Sequence, residues 1–209
     1  MGSPVFCGAA LPDGVHFVVG LHNGEVRLYH VDGTLVHTFK GHTKWLSAGA
    51  LAVTRDGQLI ISGSRDKTVK VWSVATKSLV CTCAGHTECV KAVAAMPDGQ
   101  RILSGGEDYT VRVWILDGTC KSIFRHHACD VTALVALTDN QHALSASGDS
   151  TVKLFNVNDG AVLRTFKHHT HPVVCLTLLP DGLRFISGSG NGTVTDDTAC
   201  IAYHGLAPQ

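Results

Sequence analysis

The chain of 209 residues sets 17 basic against 17 acidic side chains, with 16% of residues charged and 44% hydrophobic. This balance argues against an overall basic field that would hold nucleic acid or an anionic membrane. The length is enough for one well-buried domain, and 22 glycines suit many short strands and turns rather than disorder.

Residues 4–40 read as a first unit. Val15, Phe17 and Val19, then Val26 and Leu28, alternate at the period of a strand. The unit has Asn23 at its second turn, Tyr29 six places later, and no hydroxyl near Leu21. The chain enters at a first strand, so no upstream strand is expected to help close a ring.

The second unit, residues 41–84, opens on Gly41-His42 and turns at Asp56-Gly57 and again at Ser64-Arg65-Asp66. Asp-Gly favours a two-residue hairpin because both central residues take positive φ. Strands are expected near 46–53, 58–64, 68–73 and 78–83, where Val, Ile, Leu and Thr cluster between turns. The interval from His42 to Asp56 is 14 residues against 12 in later units. Ala48-Gly49-Ala50 is the expected bulge.

The third unit (85–125) and the fourth (126–167) are regular. In the fourth, His126-His127 opens the pattern and Asp139-Asn140 replaces Asp-Gly with the same turn chemistry. The fifth (168–209) opens on His168-His169-Thr170-His171 and passes Asp181-Gly182 and Ser187-Gly188-Ser189. It then reads in two registers, one from Asn191 and one from Asp196, and neither supplies a tryptophan. Three strands at best are expected there, and residues 4–11 and 201–206 are not expected to make a regular ring junction.

Two columns keep step along the chain. Asp13, Asp56, Asp98, Asp139 and Asp181 recur at intervals of 43, 42, 41 and 42. Tyr29, Trp72, Trp114 and Phe155 recur at 43, 42 and 41. Four strands with this period match a propeller blade. With its Gly-His openings, turn aspartates and strand-end tryptophans, the chain resembles the WD-repeat β-propeller family over roughly residues 4–194.

The resemblance implies an all-β WD-repeat propeller of about five four-stranded blades, the fifth incomplete, in an open or partial ring. It is expected to be a single domain over 1–209. It also implies a buried set of His, hydroxyl, Asp and Trp in each blade. In the second blade these are His42, Ser64, Asp66 and Trp72. In the third they are His86, Asp108 and Trp114, with Gly106 where the hydroxyl belongs. In the fourth they are His127, Ser147 and Asp149, with Phe155 for Trp. An Asp that fixes a turn can orient the His, which contacts a hydroxyl that takes the indole N–H. The second blade is therefore expected to be the most rigid and the first the least.

Eight cysteines fit small buried positions of a reducing compartment better than disulfides. Cys175 shares the column of Ala92 and Ala133, and Cys83 that of Phe39, Phe124 and Phe166. No apolar run approaches a membrane span, so a cytoplasmic or nuclear protein is expected. No nucleophile elbow or phosphate loop leading to a helix is present, which argues against an enzyme and implies no cofactor. The histidine pairs raise a metal-binding rim as a minor alternative, with His126, His168 and His171 otherwise exposed.

The favoured site is the rim formed by the loops before each first strand and by each second turn. Repeat alignment places Lys44, Trp45, Arg65, Glu88, Lys91, Glu107, Asp130 and His171 there. Trp45 faces Cys89, Asp130 and Pro172 in its column, and a lone Trp suits an interface anchor. The expected function is a non-catalytic scaffold binding a protein or peptide, with neither nucleic acid nor membrane as partner. Unpaired blade edges favour self-association. The alternative is a fragment or decayed copy of a longer propeller.

Overall fold

The computed structural model describes residues 3–182, 184–192 and 194–195, and all regular structure among them is β. The first blade comprises β1 (Val5–Ala10), β2 (His16–Leu21), β3 (Val26–His30) and β4 (Leu35–Phe39). The second comprises β5 (Leu46–Val53), β6 (Leu59–Ser64), β7 (Thr68–Ser73) and β8 (Ser78–Ala84). The third comprises β9 (Val90–Ala95), β10 (Arg101–Gly106), β11 (Val111–Ile115) and β12 (Cys120–Phe124). The fourth comprises β13 (Val131–Ala136), β14 (His142–Ser147), β15 (Val152–Asn156) and β16 (Val162–Phe166). Three described strands make the fifth: β17 (Val173–Leu178), β18 (Phe185–Ser189) and β19 (Val194–Thr195).

Each blade is an antiparallel meander in chain order. Its hairpins depend on left-handed turn residues. Gly57 has φ +73, and Asn140 holds the matching place at φ +61, which Asn tolerates better than most side chains. In the fifth blade Gly188 pairs with Val194 and Ser187 with Thr195. The second blade pairs Gly63 with Val69 and Ser62 with Lys70, so the register that starts at Asn191 is the one adopted. The competing stretch from Asp196 lies outside the described residues, as do residues 201–206 and Cys200.

The first strands pack one beside the next: β1 on β5, β5 on β9, β9 on β13 and β13 on β17. β5 departs from the others where the bulge was expected. Leu46 pairs with Ser64, but the next partner of β6 is Leu51, opposite Ser62. The slack carries Gly49 into a parallel pairing with Ala92, which joins the second and third blades in one eight-stranded sheet. A Cβ on Gly49 would lie 2.9 Å from the Lys91 carbonyl oxygen and 3.2 Å from that of Thr132. Only glycine allows this approach. Beside it a cavity of about 180 Å³ is lined by Ser47, Ala48, Gly49, Lys91, Thr132 and Val174.

The core lies between blades. Trp72, Ile60 and Leu46 pack on Val18, Val26, Leu28 and Phe39 of the first blade. Trp114 and Ile102 pack on Ile61, Val69, Val71 and Cys83. Phe155 and Ala143 pack on Leu103, Val111 and Val113, and Phe185 on Leu144, Val152 and Leu154. Burying one such side chain contributes about 1.5–3 kcal/mol. The chain is thus a partial propeller.

Its two end faces are less covered. Phe17 and Tyr29, stacked with centroids 5.5 Å apart, are half-buried where Ile60 and Trp72 are buried. Ile186 is half-buried where Ile61, Leu103 and Leu144 are fully buried. Cys175 corrects an expectation for the same reason. Its counterpart Ala92 is buried beneath the neighbouring first strand, whereas Cys175 lies in the last described first strand and is exposed. All seven described cysteines are free.

Candidate protein-interaction rim

Buried polar sets hold the loops that form the rim. In the second blade Asp66 Oδ2 accepts from His42 Nδ1 at 2.8 Å and from Thr43 N at 3.0 Å. Its Oδ1 accepts from Thr68 N at 3.0 Å and Thr68 Oγ1 at 2.6 Å. Burial alone would raise the Asp66 carboxyl, but the bonds from His42 and Thr68 outweigh it and hold the group well below the usual range. With the imidazole proton on Nδ1, His42 Nε2 accepts from Ser62 Oγ at 2.8 Å, and Ser62 Oγ accepts from Trp72 Nε1 at 2.8 Å.

The hydroxyl of the set is therefore Ser62, which corrects the expectation of Ser64. Trp72 lies directly opposite Ile60, so Ser62 is its diagonal neighbour on one face, while Ser64 is a further two residues away. Two strand residues span about 6.8 Å, too far for the indole. Ser64 instead donates to the carbonyl oxygens of Lys44 (2.9 Å) and Trp45 (3.0 Å), and its Oγ accepts from Asp66 N at 3.1 Å. It ties the second turn to the opening loop.

The third blade follows the same rule. Ser104, not the position of Gly106, accepts from Trp114 Nε1 at 2.7 Å and lies 2.6 Å from His86 Nε2. His86 Nδ1 donates to Asp108 Oδ2 at 2.8 Å. The third set is complete, so the polar sets give the second blade no advantage over the third. In the fourth blade Ser145 replaces the expected Ser147, at 2.8 Å from His127 Nε2, and His127 Nδ1 donates to Asp149 Oδ2 at 2.8 Å. Ser147 Oγ accepts from Asp149 N at 3.0 Å and donates to the Cys129 carbonyl at 3.3 Å. Ser187 lies 2.8 Å from His169 Nε2 in the fifth.

His126 was expected to be exposed and is not. Its ring lies 4.8 Å from that of Phe155, and its Nε2 lies 3.2 Å from Ser145 Oγ. Burial, then the neighbouring His127 and Lys153, push its pKa down to about 4. Burial also lowers the pKa of His127, against the pull of Asp149. These rings are committed inside the blade. Among the described residues no group of three or more His, Cys, Asp or Glu is placed to hold a metal ion.

On the rim, Trp45 is 37% exposed. Its ring stacks on His22 at 4.7 Å and 20°, and Arg65 Cζ lies 5.0 Å from its centroid. His22 in turn stacks on Phe6 at 5.5 Å and 26°. Lys44 and His171 are exposed. Lys67 Nζ lies 3.3 Å from Glu88. Lys91 serves two carboxylates, Asp130 at 2.8 Å and Glu107 at 3.5 Å. Burial opposes its charge, but the Asp130 carboxylate outweighs burial and raises the ammonium pKa.

Phe6, His22 and Tyr109 were not read from the sequence as rim residues. Tyr109 is 48% exposed and lines a depression of about 400 Å³ with Glu88, Glu107 and Asp130. It also has φ +63 at a turn where Gly24, Lys67, Ser150 and Gly192 stand in other blades. A side chain there costs about 1 kcal/mol, and an aromatic in a column otherwise of glycine and polar residues was the available signal.

The profile of the family described as WD domain, G-beta repeat matches residues 33–73, 77–114, 118–156 and 160–195. The COMPASS component SWD3 of Saccharomyces cerevisiae is 33% identical over 82 residues, covering 39% of this chain and 25% of that protein. The human angio-associated migratory cell protein is 37% identical over 81 residues, covering 37% of this chain and 18% of that protein. The pre-mRNA-splicing factor PRP46 of Saccharomyces cerevisiae is 38% identical over 66 residues, or 32% and 14% of the two chains. The matches thus span a quarter or less of these relatives. With four repeats matched over most of its length and a His–Ser–Trp set in successive blades, this chain belongs to the WD40-repeat family.

Proposed function

We propose that the chain is a non-catalytic scaffold that binds a protein or peptide on the rim around Trp45. The observation that carries this reading is Trp45 itself, 37% exposed yet held by His22 and Arg65. A Trp fixed in place loses little freedom on binding and suits an interface anchor. Tyr109, exposed in a left-handed turn, adds a second aromatic to the rim. Relatives described as a COMPASS component, a splicing factor and a ribosome biogenesis protein support a role in assembly. The free cysteines fit a cytoplasmic or nuclear setting.

The test is affinity capture with the native chain and Trp45→Ala. Loss of captured proteins at unchanged melting temperature supports the rim. Unfolding of the variant, or unchanged capture, rejects it. A second reading, a section of a longer propeller, is favoured by the half-buried Phe17–Tyr29 face and by the share of each relative that is matched. In that case further blades, or a second copy, would cover the end faces.

A further inference from the structure

The rim is not uniform in charge. Around Trp45 stand Lys44, Arg65 and His22, and among the described residues neither Lys44 nor Arg65 has a carboxylate partner. The nearby carboxylates are occupied: Asp66 holds His42, Thr43 and Thr68, and Glu25 holds Arg27 at 2.7 Å and Lys40 at 3.6 Å. Across the rim the sign reverses. Glu107 and Asp130 share Lys91, and Glu88, 3.3 Å from Lys67, opens with Tyr109 onto the same depression, so three carboxylates face two ammonium groups. A partner lying over blades one and two therefore meets unneutralised positive charge beside a ladder of flat rings, Phe6, His22 and Trp45.

Resting on the rim reading, we infer that the Phe6–His22–Trp45–Arg65 stack seats an acidic segment of a protein partner, one that carries an apolar side chain among its carboxylates. The rings take the apolar side chain, since Phe6 and Trp45 are 44% and 37% exposed. Arg65 and Lys44 take the carboxylates, with Arg65 able to grip one bidentately while stacked on the indole. The sector beyond, with one more carboxylate than ammonium, disfavours the same segment.

Trp45 can report this directly. The other tryptophans, Trp72 and Trp114, are buried. The full chain is titrated with three capped peptides, Glu-Glu-Phe-Glu-Glu, Lys-Lys-Phe-Lys-Lys and Gly-Ser-Phe-Ser-Gly, while indole emission is followed. The acidic peptide is expected to bind about tenfold more tightly than the basic one at low salt and to weaken as salt rises. Arg65→Glu should abolish that preference, and Arg65→Lys should retain part of it, with melting temperature checked for each. Equal or tighter binding of the basic or neutral peptide overturns the inference but leaves the rim reading standing. No response to any peptide also overturns it, and the rim then rests on the Trp45→Ala capture alone.

Discussion

The ring of His126 lies 4.8 Å from that of Phe155 and occupies the space that an indole fills in the two preceding blades. A Cβ on Gly41 would lie 3.0 Å from Trp72 Cη2, and one on Gly85 would lie 3.2 Å from Trp114 Cη2. Glycine accompanies the larger ring. Where Phe155 replaces Trp, His126 replaces glycine, and its Nε2, 3.2 Å from Ser145 Oγ, takes the place of the indole donor. The pair exchange is therefore expected to be tolerated better than either half. Phe155→Trp alone should clash, and His126→Gly alone should leave a cavity and a Ser145 that keeps His127 but loses its second ring partner. The double variant should recover at least about 1 kcal/mol relative to the sum of the single effects. Additive losses in denaturant melts would refute the substitution.

Stability should fall with acid in two stages. Burial holds the folded His126 pKa at about 4 against an ordinary 6.5, and His127 is lowered too. The unfolded chain therefore binds more protons between these values, so the stability present above pH 6.5 is lost progressively toward pH 4. Asp66, Asp108 and Asp149 are depressed from 3.8. Their contribution is fully present above that pH and disappears only on further acidification. His126→Gln should flatten the first stage and spare the second. Thermal melts from pH 7 to pH 3 that superimpose for the two proteins would contradict this.

Ser62→Ala should cost about 1–3 kcal/mol, because it strips partners from both His42 and Trp72 inside the blade. His42→Ala and Asp66→Ala should fall in the same range of about 1–3 kcal/mol. Ser64→Ala leaves that chain intact and should cost less. Asn23→Ala should also cost little, since Val19 stands where the first blade would need the serine. Denaturant midpoints order these variants. A Ser64 variant less stable than the Ser62 variant would reverse the assignment.

The repeat period, the strands of the second unit and the site of its bulge were legible because turn chemistry and two-residue alternation are local. The hydroxyl was misread for the same physical reason. Ser62 and Ser64 lie on one face of β6, and alternation cannot say which stands diagonal to Trp72; only the pairing of Ile60 with Trp72 does. His126 was equally hidden, since its burial depends on the missing bulk of a residue twenty-nine positions later. The Phe6–His22–Trp45 ladder joins a strand and two loops of two blades, so no single repeat announces it.

The end faces lead to a last expectation. Phe17, Val19 and Tyr29 form the face that in later blades meets the preceding blade, yet all three are half-buried. At the other end Ile186 is half-buried, while its equivalents Ile61, Leu103 and Leu144 are fully buried. The two faces are of the kinds that pack together at every internal junction, as Trp72 does on Val18 and Phe185 on Leu144. A head-to-tail contact between copies joins one of each, and such contacts extend or close according to the rotation between them. Self-association that grows with concentration is therefore expected, and Phe17→Lys should weaken it by placing a charge where an apolar ring would be covered. Sedimentation velocity over a wide dilution series reads both proteins. A native chain that sediments as a monomer throughout, with a variant indistinguishable from it, would show that these faces are content with water.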